Sequence, residues 1–149
     1  DSALIISSSG TSLVPVEMAE GFQKEGIKVV SLISMRHSEK SSSKRTDGKK
    51  LQDFSDLVLD TGAPIGDAMI SIPDLDTPVS PGSTVGGAVI INSIKAEVAK
   101  RLTEAGQPPK VLTAASIVGK ELATDLFESA YDEHAHRVAK LYEKVGENQ

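Results

Sequence analysis

The feature that most restricts the fold is a four-residue apolar run at residues 3–6 that ends in a cluster of small polar residues. Such a run before a Ser/Gly-rich turn is typical of a strand buried in a parallel sheet. Val14, Met18 and Phe22 then recur at helical spacing, and Gly26 is placed to end that helix. Residues 27–33 form a second apolar run. This order predicts a right-handed βαβ unit.

The rest of the chain continues the pattern of strands and helices. We predict a surface loop at residues 36–50, strands at 57–59 and 68–72, a helix at 85–102, a strand at 111–114 and a helix at 121–145. The last helix has near-heptad spacing, but about three heptads is short for a coiled coil, so packing in a core or a dimer is favoured. Aromatic residues are only 3% of the chain, so the core must be mainly aliphatic, as in sheets covered by helices. We therefore predict one α/β domain over residues 1–149, a parallel sheet flanked by helices.

Composition excludes several classes of function. The formal charge is -5 and the one dense basic run is residues 40–50, so we expect no nucleic-acid partner. The absence of Cys excludes disulfides and thiol catalysis and is compatible with the cytoplasmic location that we expect. No segment has the roughly 20 apolar residues that span a bilayer, so we expect no membrane association. His134 and His136 face different ways on a helix, and we expect neither a metal nor a cofactor.

The loop between the first predicted strand and helix is the first candidate site. It consists of Ser7, Ser8, Ser9, Gly10, Thr11 and Ser12. A helix amino terminus offers unpaired N–H groups and partial positive charge, which stabilise an anion, and hydroxyls add further donors. The same residues also fit an ordinary helix N-cap in a serine-rich turn. From composition alone, both interpretations stay open.

A second candidate segment, residues 81–87, precedes the helix predicted at 85–102. Ser83 or Thr84 suits an N-cap. Gly86 and Gly87 weaken a helix, which indicates close approach of the backbone either to a ligand or to a neighbouring element.

Several motifs resemble those of sugar-isomerase (SIS) domain proteins, in particular an uncharacterised branch of predicted phosphosugar isomerases. The first is Ile-Ser-Ser-Ser-Gly-Thr-Ser followed by Val-Pro-Val-Glu-Met-Ala. The others are Arg-His-Ser at 36–38, Gly-Lys-Lys-Leu at 48–51, Asp-Leu-Val-Leu-Asp at 56–60, Gly-Ala-Pro-Ile-Gly-Asp-Ala at 62–68 and Ser-Thr-Val at 83–85. The resemblance covers residues 1–116. At 115–116 the chain has Ala-Ser where relatives often have an Asn, which weakens any substrate assignment from that region.

The resemblance implies an SIS-type fold, which is flavodoxin-like or Rossmann-like. It implies that Ser7, Ser9 and Ser12 bind a sugar phosphate, that Ser8 and Gly10 add contacts, and that Ser83 and Thr84 line the same pocket. SIS domains have an earlier strand and amino-terminal helices. We therefore expect the chain, which starts at Asp1, to be a fragment or a processed chain that lacks its first strand.

The sequence also contains candidate catalytic residues for such an isomerisation. Aldose–ketose isomerisation needs a base, usually a carboxylate, and often a ring-opening His or Lys. Glu17, in the branch motif, ranks before Glu20, although both also fit solvent-facing helix carboxylates. His37, after the second strand, fits ring opening or a surface loop, and Lys49 and Lys50 could close over an anion.

The resemblance thus implies a homo-oligomeric protein that binds a phosphorylated sugar or amino-sugar derivative, with aldose–ketose isomerisation as the candidate reaction. The alternative is a non-catalytic SIS module that senses the same ligand for regulation. A nucleotide-binding domain is disfavoured, because no Gly-x-Gly-x-x-Gly or P-loop occurs.

Overall fold

The computed structural model describes residues 1–146 and has mixed α/β architecture. The strands are β1 (Ser2–Ile6), β2 (Lys28–Ile33), β3 (Leu57–Asp60), β4 (Ala68–Ile70) and β5 (Val79–Pro81). The helices are α1 (Leu13–Lys24), α2 (Met35–Lys40), α3 (Gly82–Glu104), α4 (Ala115–Val118) and α5 (Lys120–Gly146), with a 3-10 turn at Leu51–Phe54. The chain divides into two compact units, Asp1–Lys95 and Ala96–Gln149. The prediction of a single domain remains a prediction.

The first unit is built on a three-stranded parallel sheet in the order β1-β2-β3. In this register, Val30 of β2 lies between Leu4 of β1 and Leu57 of β3. The three strands lie close to their predicted positions, because each is a short apolar run followed by polar residues. The α/β prediction with a parallel sheet is therefore confirmed.

One face of this sheet carries the core. α1 and the 3-10 turn contribute to a cluster with alternate strand residues, and the buried members are Ile5, Val16, Ala19, Val29, Ile33, Leu51 and Phe54. Val16 and Ala19 are three positions apart on α1, so they share one helix face. This packing fixes the start of α1 against the carboxyl end of β1.

The opposite face of the sheet is apolar but only partly covered. Leu4, Ile6 and Leu57 point to this face and are 46%, 54% and 52% exposed. β1 is an edge strand in the described sheet. Parallel sheets are normally covered on both faces, so this surface is unusual for the architecture.

The predicted surface loop at 36–50 is wrong over its first residues, because Met35–Lys40 form α2. The Ser34 hydroxyl accepts the N–H of His37 at 3.2 Å and so caps this helix. Only Ser38 of α2 is buried. A short helix with so little apolar content lacks the periodicity by which helices are identified from sequence.

The strand predicted at 68–72 is shorter, at Ala68–Ile70, and pairs with β5 in a separate antiparallel hairpin. α3 follows this hairpin. A side chain at Gly86 would have its Cβ 2.3 Å from the carbonyl oxygen of Thr61, whereas one at Gly87 would meet nothing within 4 Å. Gly86 therefore allows α3 to approach the backbone of a neighbouring element.

The second unit contains the end of α3, α4 and α5. The predicted helix at 121–145 is confirmed as α5, but the strand predicted at 111–114 is wrong, because these residues adopt no regular structure. Val111 and Leu112 are each 60% exposed, and the described part of this unit offers no strand with which they could pair. On α5, the rings of Phe127 and Tyr131 stack 6.1 Å apart on an exposed face.

Within the described residues, no helix has the length and apolar character needed to span a bilayer.

Candidate functional site

The carboxyl ends of β1, β2 and β3 meet at one edge of the sheet, where polar segments follow all three strands. The loop formed by residues 7–12 is tied to the end of β2 by two backbone hydrogen bonds. Ser7 donates its N–H to the Leu32 carbonyl at 3.0 Å, and Ser34 donates its N–H to the Ser8 carbonyl at 2.9 Å. The loop is therefore held where parallel α/β sheets generally bind ligands.

Gly10 gives the loop its shape. Its φ is +65°, in the left-handed region that favours glycine. Its carbonyl accepts the N–H of Leu51 at 2.8 Å, and a Cβ at this position would be 3.1 Å from the Oε1 atom of Gln52. The 3-10 turn thus supports the loop and leaves little room for a side chain there.

The hydroxyls of Ser9 and Thr11 take part in hydrogen bonds within the loop. The Ser9 Oγ and Thr11 Oγ1 atoms lie 2.8 Å apart, and the Thr11 N–H donates to the Ser9 Oγ at 3.3 Å. The Ser8 Oγ is buried and has no hydrogen-bond partner among the described residues. A buried hydroxyl without a partner is uncommon in proteins.

Ser12 occupies the N-cap position of α1, yet its hydroxyl makes no capping hydrogen bond. The first helical N–H groups are consequently left open, since Val16 is the first residue of the helix to donate, to the Ser12 carbonyl at 3.3 Å. Among residues 7–16, five N–H groups have no acceptor in the described chain, those of Ser8, Ser9, Ser12, Leu13 and Val14. The ordinary capping interpretation of this loop therefore does not describe its geometry.

The two candidate carboxylates on α1 differ in their surroundings. Glu20 accepts hydrogen bonds from Lys24 at 2.9 Å and from Arg45 at 3.0 Å, and hydrogen bonding to Lys24, reinforced by Arg45, lowers the pKa of Glu20. Glu17 has no ion-pair or hydrogen-bond partner among the described residues. It lines a surface cavity of about 310 Å³ together with Leu13 and Thr46. Of the two, only Glu17 is available to a ligand.

His37 lies on α2, after β2, and is partly buried. Its Nδ1 atom accepts the N–H of Gly66 at 2.9 Å, so the ring proton is on Nε2. The imidazole therefore connects α2 to the segment that follows β3. Only its Nε2 side remains available for ring opening or for a phosphate contact.

Ser83 and Thr84 lie at the start of α3. Ser83 donates its hydroxyl to the Asp67 Oδ2 atom at 2.6 Å and its N–H to Oδ1 at 2.7 Å, while Thr84 is exposed. The Asp67 carboxylate therefore caps the start of α3 from another segment, and the N-cap prediction for Ser83 or Thr84 is wrong, because α3 begins at Gly82 and both residues lie inside it. Among the described residues, no hydrogen bond joins Ser83 or Thr84 to the loop formed by residues 7–12.

The basic segment at 40–50 contains residues that the sequence prediction missed. Arg45 donates to Glu20 and to Asp47, and its guanidinium lies 5.2 Å from the Phe54 ring centroid. Asp47, hydrogen-bonded to Arg45 and to the Lys49 N–H, has its pKa lowered to about 2. Lys44, Arg45 and Thr46 line the same cavity as Glu17. The dense basic run was the available sequence signal, but which of its cations are paired depends on contacts far apart in the chain.

Lys49 and Lys50 are both engaged with the protein. The Lys49 Nζ lies 5.2 Å from the centroid of the Phe54 ring, and the Lys50 Nζ donates to the Ser38 carbonyl. Neither ammonium group is directed at the cavity, whose described lining does not include them.

The second unit holds a larger cavity of about 600 Å³. Its charged lining residues mostly pair with one another: Arg137 with Glu133, and Lys110 with Glu133 and the Ser129 carbonyl. Because its charged lining residues are paired, this cavity is less suited to a polar ligand than the cavity lined by Glu17.

The fold and the loop define an α/β protein with a Ser/Gly-rich, hydroxyl-bearing turn between a parallel strand and a helix. No protein-family model matches the chain. The chain is similar to a UPF0309 protein of Halalkalibacterium halodurans, at 36% identity over 88% of this chain and 54% of that protein. It is 33% identical to a UPF0309 protein of Listeria innocua, over 95% of this chain and 56% of that protein. The chain thus spans about half the length of the curated relatives it matches.

Proposed function

We propose that this chain binds a phosphorylated sugar, with the phosphate on the loop formed by residues 7–12. The observation that carries the proposal is the set of open N–H groups at Ser8, Ser9, Ser12, Leu13 and Val14. Backbone donors at a helix amino terminus stabilise anions, and a terminal phosphate has three oxygens that accept several such bonds at once. The hydroxyls of Ser9 and Ser12 provide further donors.

The sugar is supported by the space next to the loop. The cavity begins at Leu13, the first residue of α1, and extends past Glu17, one helical turn further. Its volume of about 310 Å³ lies at the small end of ligand sites. A ligand with its phosphate on the loop would place its polar, uncharged part beside Glu17 and Thr46.

We further propose that the sheet is part of an SIS-type fold in which another strand pairs with β1. The open edge of β1 and the exposed Leu4 and Ile6 support this, because a further strand and its helix would cover them. The match covers 54% of the Halalkalibacterium halodurans relative and 56% of the Listeria innocua relative, so each has residues outside the match that could provide such a strand. A cytoplasmic location and a homo-oligomeric state belong to the same proposal. The homo-oligomer is supported by the exposed apolar side chains of Phe127 and Tyr131 on α5.

Glu17 is our choice for the base of an aldose–ketose isomerisation. Its carboxylate would remove the proton from the second carbon of the open-chain aldose and return it to the first carbon. The proton of the second hydroxyl would move to the carbonyl oxygen, which balances the reaction without a cofactor. The partner-free position of Glu17 in the cavity favours it over the paired Glu20.

Binding is tested by thermal unfolding with fructose 6-phosphate, glucosamine 6-phosphate, inorganic phosphate and the unphosphorylated sugars. We expect the phosphorylated ligands to raise the melting temperature and the unphosphorylated sugars to have little effect. Ser9→Ala should reduce the shift, whereas Ser71→Ala, a matched change at an exposed serine outside the loop, should leave it intact. No response of the wild-type chain to any phosphate compound would contradict the proposal.

Isomerisation is tested with an aldose 6-phosphate, by exchange of the hydrogen at its second carbon with deuterated solvent. We expect exchange with the wild-type chain and its loss in Glu17→Gln, with binding retained. Exchange that persists in Glu17→Gln would show that Glu17 is not the base. Binding without exchange in the wild-type chain would favour the regulatory module instead.

A further inference from the structure

The N–H groups of the loop formed by residues 7–12 and of the first turn of α1 do not by themselves balance the charge of a phosphate monoester. Such a group carries about -1.5 to -2 at neutral pH. A helix amino terminus contributes roughly half a positive charge. A site built from the start of α1 therefore binds more tightly if a side-chain cation completes it.

Most cations of the basic segment are already paired with protein groups. Arg45 is held by Glu20 and Asp47, Lys49 lies over the Phe54 ring, and Lys50 donates to a backbone carbonyl. The exception at the cavity is Lys44. It is exposed, lines the cavity with Leu13 and Glu17, and makes no ion pair or hydrogen bond with the described residues.

Arg45 explains why Lys44 stays at this cavity. The Arg45 side chain is only 18% exposed and donates to Glu20 on α1 at 3.0 Å and to Asp47 at 2.7 Å. Its guanidinium also packs on the Phe54 ring. Because both neighbours of Arg45 line the cavity, this anchor holds the backbone of residues 44–46 beside α1.

We infer that Lys44 is a second binding element of the phosphosugar site, with its ammonium group on the ligand phosphate, and that Arg45 is a positioning residue that holds it there. This inference rests on the proposed phosphosugar binding. In this arrangement two segments contact the ligand, the loop formed by residues 7–12 and the anchored segment at 44–46. Ammonium-to-phosphate contacts are charge-assisted hydrogen bonds, among the stronger interactions in proteins.

The test is calorimetric titration of the full chain with fructose 6-phosphate. Lys44→Met should weaken binding about tenfold, which corresponds to one charge-assisted hydrogen bond. Lys44→Arg should retain affinity within about threefold, because the charge remains. Lys40→Met, a matched loss of an exposed lysine outside the cavity lining, should change affinity by less than about twofold, as expected for a solvent-screened charge.

The positioning role of Arg45 is tested by a double-mutant cycle. Arg45→Met should weaken binding in the wild-type background but add little in the Lys44→Met background, because its effect passes through Lys44. Equal effects of Arg45→Met in both backgrounds would overturn the positioning role.

The outcomes separate the two proposals. If the wild-type chain binds no phosphosugar, the proposed function itself fails. If it binds and Lys44→Met stays within twofold of the wild type, or Lys40→Met weakens binding equally, the proposed function stands and the assignment of Lys44 is overturned.

Discussion

Gly86 and Gly87 are adjacent in α3, and we expect alanine at position 86 to give a less stable chain than alanine at position 87. Both residues lie inside the helix, and both variants gain the same intrinsic preference of alanine for helix, about 1 kcal/mol relative to glycine. Their surroundings differ. The new Cβ at position 86 would lie 2.3 Å from the Thr61 carbonyl oxygen, and that at position 87 would have no atom within 4 Å.

The contact at position 86 is costly because its partner is backbone. Thr61 donates its own N–H to the Ile33 carbonyl at 2.9 Å, so its peptide is held at the end of the sheet. Overpacking against fixed neighbours costs about 1–3 kcal/mol. Gly87→Ala should therefore stabilise the chain by up to about 1 kcal/mol. Gly86→Ala should be less stable than Gly87→Ala by about 1–3 kcal/mol, with the rigid backbone favouring the upper part of that range.

Urea unfolding followed by circular dichroism at helical wavelengths measures both free energies of unfolding. Because the helix-propensity gains cancel between the two variants, their difference reports the contact with Thr61 alone. Equal stabilities, or a Gly86→Ala variant more stable than Gly87→Ala, would refute close packing of α3 on this segment.

Two further predictions concern charged and polar contacts. The pKa of Asp47 is lowered to about 2 by its hydrogen bond to Arg45, so the stability it contributes is present above about pH 4 and lost as the pH falls through about 2. Thermal unfolding across this range should show a smaller acid-induced loss in Asp47→Asn than in the wild type, and identical profiles would contradict the pairing. His37→Ala removes the acceptor of the Gly66 N–H and should cost about 1 kcal/mol, whereas His134→Ala, on an exposed helix position, should cost much less. Equal losses of unfolding free energy in His37→Ala and His134→Ala, measured by urea titration, would show that the His37 imidazole has no structural role.

The fold elements that could be predicted from sequence are those with a strong local pattern. β1 and β2 are short apolar runs, and α3 and α5 have apolar residues at helical spacing, so the chain itself marks them. α2 lacks such a pattern and depends on the Ser34 cap, whose hydroxyl also donates to the Ala63 carbonyl, 29 residues away. The apolar residues at 111–114 resemble a strand, but a strand also requires a partner, which local sequence cannot supply.

In the candidate site, too, local sequence predicts some features, while others depend on contacts between distant residues. The loop formed by residues 7–12 could be located from its composition, but composition could not decide between a helix cap and an anion cradle. That distinction depends on the Ser12 hydroxyl, which makes no capping bond. The roles of Glu20 and Ser83 depend on Arg45 and Asp67, which are 25 and 16 residues away along the chain. Contacts over such distances leave no periodic trace in a single sequence.

If the chain binds a phosphosugar as proposed, open backbone N–H groups of the loop and of the first turn of α1 hold the phosphate. The decisive experiment is ¹⁵N-resolved NMR of the chain titrated with fructose 6-phosphate. We predict saturable shifts of the amide signals of Ser8, Ser9, Ser12, Leu13 and Val14, larger than those elsewhere, since these N–H groups have no protein acceptor in the described chain. Saturable shifts at other residues with these five amides unmoved, or no saturable shifts at all, would contradict the account.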